Sequence, residues 1–230
     1  MPEKGRNNFA CSGGLLGFFI TFEGTEGSGK STQIAKLRDY LAGEGLDVIA
    51  VREPGSTKVG EKVRDILLSV SEGAGMETLT ELFLYEAARV EIVTKLIVPA
   101  LQAGKIVLCD RYTDSTFAYQ CFGRHIPYDK VETVNALATD GLKPDLTILI
   151  DCPIDVGLAR ANSRNEAAAP GADRFEREAR MFHERVRNGY HWLARLERRI
   201  KVFDGNRSVE AVHADIRMAA QDALRMAKVI

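Results

Sequence analysis

The chain has 230 residues, with 31 Lys and Arg against 32 Asp and Glu, a formal charge of −1 and 45% hydrophobic residues. That length suits one α/β domain with a sizeable core, and the balanced charge removes any global sign of nucleic-acid or membrane binding. Four cysteines, at 11, 109, 121 and 152, form no C-x-x-C pair, which argues against a cysteine metal site and for a reducing, cytoplasmic setting.

Residues 1–15 read as a mobile N-terminal tail and 16–230 as one domain. Lys4 and Arg6 precede a partly apolar run, Cys11 to Phe22, that mimics a signal peptide. Cleavage there would remove Phe18 to Phe22, which reads as the buried strand feeding the next loop, so the signal reading is rejected. No stretch approaches the roughly 18 apolar residues of a membrane span.

After that strand, Gly24-Thr25-Glu26-Gly27-Ser28-Gly29-Lys30-Ser31 fits the phosphate-loop pattern G-x-x-x-x-G-K-[ST] at every fixed position. A helix follows from Thr32 to Leu41, with Ile34, Leu37 and Leu41 on one face. The glycines let successive N–H groups turn toward an anion, and the helix N-terminus adds its partial positive charge. Residues Gly24 to Thr32 are therefore the expected ATP-binding segment. Lys30 would reach the β and γ phosphates, and the Ser31 hydroxyl would bind Mg2+.

A second strand, Val48 to Val51, ends in Arg52-Glu53-Pro54-Gly55, where Pro and Gly force a loop. Helices are expected over 58–68 and, with a long apolar stripe, over 77–103. Lys105 to Cys109 is a third strand running into Asp110-Arg111-Tyr112. Helical segments occupy about 113–121 and 128–139. Leu146 to Ile150 is a fourth strand, ending at Asp151, and a helix covers 154–161. Residues 162–173 lose periodicity. A long helix is expected from Arg174 to Arg199, then a short strand, 201–203, and a final amphipathic helix. Apolar strands alternating with helices predict a parallel sheet covered on both faces.

Ligands of such folds gather at the carboxyl ends of the strands, where Glu23, Arg52, Asp110 and Asp151 stand. Asp110 suits a Mg2+ shell, and Arg111 offers a planar fork for a second phosphate; a local ion pair at a strand end would use the same residues. Arg52 would enter the same crevice, unless it is a solvated loop residue. Two arginines away from the ATP loop point to a separate anionic substrate. Tyr85 and Arg89, spaced i, i+4, suit stacking on a nucleobase and bonding its edge, though an aromatic at helical spacing also suits a core. Thr116 and Gln120 repeat the spacing, with Tyr119 beside them. The segment from about 160 to 174, with Arg160, Arg164 and Arg174, suits a lid closing over phosphates as well as a solvated loop.

At these residues the chain resembles the bacterial thymidylate kinases. The marks are Phe22-Glu23-Gly24 through Thr32-Gln33, Arg52-Glu53-Pro54-Gly55, Leu84-Tyr85-Glu86-Ala87-Ala88-Arg89 and Asp110-Arg111-Tyr112. They continue with Asp114-Ser115-Thr116, Ala118-Tyr119-Gln120, Lys143-Pro144-Asp145-Leu146, Asp173-Arg174-Phe175-Glu176 and Phe182-His183-Glu184. The resemblance runs from about Phe18 into the final helix. It implies a P-loop three-layer α/β fold, with a five-stranded parallel sheet and a small lid, transferring the γ-phosphate of ATP to dTMP with Mg2+. By resemblance, Glu26 would contact the deoxyribose 3′-hydroxyl, and Arg52 and Arg111 would hold the dTMP phosphate. Tyr85 would stack on thymine, Arg89 and Gln120 would read the base edge beside Thr116, and Tyr119 would crowd the sugar 2′ position. Some relatives carry a basic residue where Gly27 stands here, so the catalytic arginine is expected from the lid, at Arg160, Arg164 or Arg174.

The expectation is thus a cytoplasmic dTMP kinase with catalytic Lys30, Arg111, Arg160 and Arg164, metal contacts at Ser31 and Asp110, and ATP and dTMP as its small-molecule substrates. The family's usual homodimer would pack through long helices, and the apolar stripe of 77–103 fits a dimer face and a core equally. The rivals are another nucleoside monophosphate or deoxynucleoside kinase and, from a different class, a P-loop ATPase or switch.

Overall fold

The computed structural model describes residues 15–73, 75–168, 174–175 and 178–230, and of 164–168 the backbone alone. The first half of the chain runs β1 (Phe18–Glu23), α1 (Lys30–Gly43), β2 (Val48–Arg52), α2 (Lys58–Leu68) and α3 (Thr78–Ile92). From α3 a π-helical turn, Val93–Ile97, leads straight into α4 (Val98–Gln102), and then come β3 (Ile106–Asp110) and α5 (Thr113–Thr116). A π-helical segment, Phe117–Gly123, precedes α6 (Tyr128–Thr139), β4 (Leu146–Asp151) and α7 (Ile154–Ala168). The chain closes with α8 (Arg180–Leu196), β5 (Ile200–Asp204) and α9 (Val209–Met226).

Strand β1 is buried along its whole length. Successive side chains of a strand point to opposite faces, so such a strand is stable only between two layers. Phe18, Ile20 and Phe22 pack with Leu37 and Leu41 of α1 and Ile216 and Leu224 of α9. Phe19 packs on the other side with Ile92, Ile97 and Leu101. The strands pair in parallel in the order β2-β3-β1-β4-β5. The fold expected from the sequence is the one observed.

The register sets Asp110 beside Phe22 on one flank and beside Arg52 on the other. The carboxyl ends of β1, β2 and β3 therefore share one rim.

Three elements differ from the sequence reading. Helix α7 continues to Ala168, past the expected end at Ala161; Arg164, Glu166, Ala167 and Ala168 favour a helix, and the segment supplies no apolar period to reveal it. Helix α8 begins at Arg180, not Arg174: Arg174 and Phe175 form a turn docked on α2, with Arg174 N–H donating to Leu68 O (3.2 Å). The expected helix over 113–121 is a short α-helix followed by the π-helical segment. The N-terminal tail lies outside the described residues except for Leu15, which packs against the core beside Phe19. Asp173 and 169–172 of the lid region also lie outside them.

Candidate functional site

The phosphate loop leaves β1 through Gly24, whose φ of +140° and 2.3 Å clearance from Ile150 O for any Cβ exclude a side chain. Gly29, at φ +101°, caps α1 with no side-chain bond, so the first N–H groups of that helix face outward for an anion. Lys30 is buried and folds over the loop, its Nζ donating to Gly24 O (3.0 Å) and Thr25 O (2.9 Å). Burial and the nearby Arg111 charge push its pKa down to about 8. Ser31 Oγ donates to Asp110 Oδ2 at 3.2 Å, which puts both expected metal contacts side by side.

Arg111 holds φ +69°, a strained left-handed conformation for a residue with a side chain. Its N–H donates to Phe22 O (2.9 Å), which ties the reversal to β1. The guanidinium is thereby brought back over the loop. Nη2 donates to Glu26 Oε1 (3.0 Å), and Nη1 to Ser115 Oγ (3.2 Å) and Tyr190 OH (3.1 Å). Those two hydroxyls also bond Glu23 Oε2, at 2.6 and 3.0 Å. Burial, aided by Asp114, raises Glu23 to about 7. Glu26 behaves oppositely: burial pushes its pKa up, but His183, Arg111, Lys30 and Tyr119 outweigh it and hold the carboxylate well below the usual range. Tyr119 OH donates to Glu26 as well.

One cavity opens on this side of the loop. Lys30, Ser31 and Asp110 line one end, and Tyr85, Arg89, Thr116, Gln120 and Phe175 the other. Arg52, Arg64 and Arg111 lie on its walls. Arg52 is held by Glu61 of α2 through Nη2, at 2.9 and 3.1 Å. Arg64 donates to Pro54 O (3.0 Å), and burial followed by the Arg52 charge lowers its pKa. Three guanidinium groups around one cavity raise each other's cost until an anion enters. At the far end Arg89 is fully buried. It pairs with Glu53 (2.8 Å) and Glu86 (2.5 Å), and bonds Thr116 Oγ1 (2.7 Å) and Asn135 Oδ1 (2.8 Å). Burial opposes its charge, but the two carboxylates outweigh that and keep it protonated.

A second cavity lies across the loop, lined by Gly27 to Gln33 together with Arg160, Gly205, Arg207, Val209 and Val212. It shares Gly27, Lys30 and Ser31 with the first. Arg160 Nη1 donates to Gly205 O at 2.9 Å. Arg164 follows one turn later on α7, and of it only the backbone is described. Arg174 points elsewhere: it donates to Leu67 O (2.9 Å) and Glu81 Oε2 (2.6 Å), near the end of the first cavity lined by Gln120 and Phe175. Asp151 joins neither cavity and instead clamps Arg187 of α8, at 2.6 and 2.7 Å.

Sequence reasoning missed Arg64, Glu81, Tyr190 and Arg207 as site residues, and it noted Glu23 at a strand end and Ser115 and His183 among the family marks without giving them a role. A partial signal existed for Glu81, which precedes Tyr85 and Arg89 by one and two helical turns and so shares their face. His183 and Tyr190 are buried on the inner face of the amphipathic helix α8, where spacing alone does not separate a site residue from a core residue.

The model of the thymidylate kinase family matches residues 22–216. The thymidylate kinase of Pelobacter propionicus is 49% identical over 199 residues, covering 86% of this chain and 90% of the relative. That of Geobacter sulfurreducens is 50% identical over 198 residues, covering 85% and 92%. A crystal structure of thymidylate kinase from Ehrlichia chaffeensis superposes with a TM-score of 0.71 at 33% identity, covering 89% of this chain and 98% of that one. Fold, phosphate loop and these similarities agree: the chain belongs to the thymidylate kinase family.

Proposed function

We propose that the chain transfers the γ-phosphate of MgATP to dTMP, giving dTDP and ADP. The observation that carries this reading is the pair of cavities meeting at Lys30 and Ser31. A phosphoryl donor seated against the loop and Arg160, and an acceptor among Arg52, Arg64 and Arg111, would face each other across that lysine. Direct in-line transfer then needs positioning and charge neutralisation rather than a protein nucleophile.

In this reading Arg52 and Arg111 hold the acceptor phosphate, with Arg64 a third contact. Tyr85 stacks on the base, Arg89 and Gln120 read its edge beside Thr116, and Glu26 and Tyr119 frame the sugar. Ser31 and Asp110 are oxygen donors of the kind Mg2+ takes when it brings its own phosphates and waters. The cation would neutralise charge on the transferred group. In the same reading Arg160, which lines the second cavity, stabilises that group from the donor side, and Arg164, one turn later in the sequence of α7, is the second candidate for that role.

Homodimerisation fits the outer face of α3, where Leu79, Phe83 and Val90 are exposed at helical spacing. Three described cysteines, Cys109, Cys121 and Cys152, are thiols, as suits a cytoplasmic protein. Among the described residues no helix is long and apolar enough to cross a membrane.

The reading is tested by a coupled ADP-release assay with dTMP, dUMP, UMP, CMP, AMP and GMP. The expected order puts dTMP first and dUMP second, since one methyl in a fitted pocket gives about 10–200-fold. Preference for AMP or CMP would move the chain to another nucleotide kinase.

A further inference from the structure

Glu81 and Gln120 are each about 1% exposed, and Gln120 forms part of the wall at the base end of the first cavity. Gln120 Nε2 donates to Glu81 Oε1 at 2.9 Å. The same oxygen accepts Arg124 Nε (3.1 Å), while Oε2 accepts Arg124 Nη2 (3.2 Å) and Arg174 Nη2 (2.6 Å). Two carboxylate oxygens offer about four acceptor positions in all, and here all are taken by donors. Burial works against the charge of Glu81, but Arg124 and Arg174 outweigh it and keep the carboxyl ionised. An ionised carboxylate cannot donate a hydrogen bond. The Gln120 amide is therefore locked in one direction, because the flipped form would set carbonyl oxygen against carboxylate oxygen.

That lock fixes what the amide offers to a ligand. With its nitrogen turned to Glu81, its remaining group is Oε1, to which no donor is bonded among the described residues. We propose that Glu81 is a specificity-determining positioning residue, which presents Gln120 as an acceptor and so selects nucleobases carrying a ring N3–H, thymine and uracil, over cytosine. Cytosine brings a lone pair to that position, and two acceptors would face each other in a buried pocket. An unmet buried polar group is costly, whereas a matched one is close to neutral. The inference rests on the reading that this cavity takes the acceptor base.

The test compares dTMP with 5-methyl-dCMP, which keeps the methyl and the sugar and differs at positions 3 and 4 of the ring. Dissociation constants by calorimetry and kcat/KM are measured for the wild type, Glu81→Gln and Arg124→Ala. Glu81→Gln supplies an amide that accepts or donates, so Gln120 is released to turn. The preference for dTMP should narrow by about tenfold or more in Glu81→Gln, in Kd as well as kcat/KM. Arg124→Ala removes a partner of Glu81 but leaves the carboxylate, so its preference should stay within a few-fold of wild type. If Glu81→Gln does not fold, the double variant Glu81→Gln/Arg124→Gln removes one charge of each sign and carries the same expectation. A folded variant with the wild-type preference would overturn the proposal. A wild type that binds dTMP selectively without turning it over would overturn the kinase reading and leave the Kd comparison to decide this one.

Discussion

Gly27 and Gly157 pack backbone against backbone. A Cβ on Gly27 would stand 1.9 Å from Gly157 O, and one on Gly157 would stand 2.5 Å from Glu26 O. Gly27 also holds φ +64°. The first turn of α7, the helix that carries Arg160 and Arg164, is thus seated directly on the phosphate loop. The same contact explains why no basic side chain occupies position 27 in this chain. Gly157→Ala should lower Tm by several degrees and reduce kcat, because overpacking costs about 1–3 kcal/mol and outweighs the gain of roughly 1 kcal/mol in helix propensity. Thermal melts and steady-state kinetics check this, and an unchanged Tm and kcat would mean the contact is slack.

The arginines of the α7 region should separate by kinetics. Arg160 lines the second cavity beside the phosphate loop, and an arginine acting on the transferred group contributes on the order of 10³–10⁵ in kcat. Alanine at Arg160 or Arg164 should lower kcat far more than it raises the dTMP KM. Arg174 bonds Glu81 and the end of α2, so Arg174→Ala should chiefly raise the dTMP KM and lower Tm. Were Arg174→Ala to abolish turnover with the dTMP KM unchanged, the two roles would be reversed.

Stability should fall as pH rises through the weakly acidic range. Glu23 and Glu53 are fully buried, and burial raises each from 4.5 to about 7, for Glu53 against the opposing Arg89 charge, so its pair with Arg89 becomes fully ionic only above that range. Between those values the folded state holds protons that the unfolded chain has released, so each group's contribution is complete below about 4.5 and is lost by about 7. One pKa unit corresponds to about 1.4 kcal/mol, which puts each site at up to roughly 3 kcal/mol. Glu53→Gln cannot ionise, and its Tm should therefore fall less steeply from pH 5 to 7 than the wild type's. Parallel Tm curves would show that Glu53 stays charged in the fold.

A charge on the outer face of α3 should break the proposed dimer. Phe83 is 57% exposed between the similarly exposed Leu79 and Val90. Phe83→Glu should sediment as a monomer where the wild type sediments as a dimer. A monomeric wild type would remove the dimer proposal.

How much was legible beforehand follows from where each signal lay. The bounds of α2 and α6 and the positions of all five strands were readable, because apolar periodicity marks the packed face of a helix and short β-branched and aromatic runs mark strands. The phosphate loop was readable because its chemistry is local in sequence. The end of α7 was not, since a helix segment without an apolar face has no period to detect. Arg64 and Glu81 were missed because a charged residue on a helix reads as solvated, and only tertiary packing turns it inward. The Glu23–Ser115–Tyr190–Arg111 network joins residues separated by up to 167 positions, and no spacing rule reaches that far.

The proposed direct transfer between two bound nucleotides is followed atom by atom by ³¹P NMR of the protein with MgATP and dTMP. Loss of the ATP γ signal should be matched by the β signal of dTDP, with little inorganic phosphate. Lys30→Ala should abolish the exchange while keeping its fold, since removing one such charge contact costs about 10²–10³ or more. Inorganic phosphate appearing in step with ADP while dTMP stays unchanged would contradict the account and make the chain an ATPase.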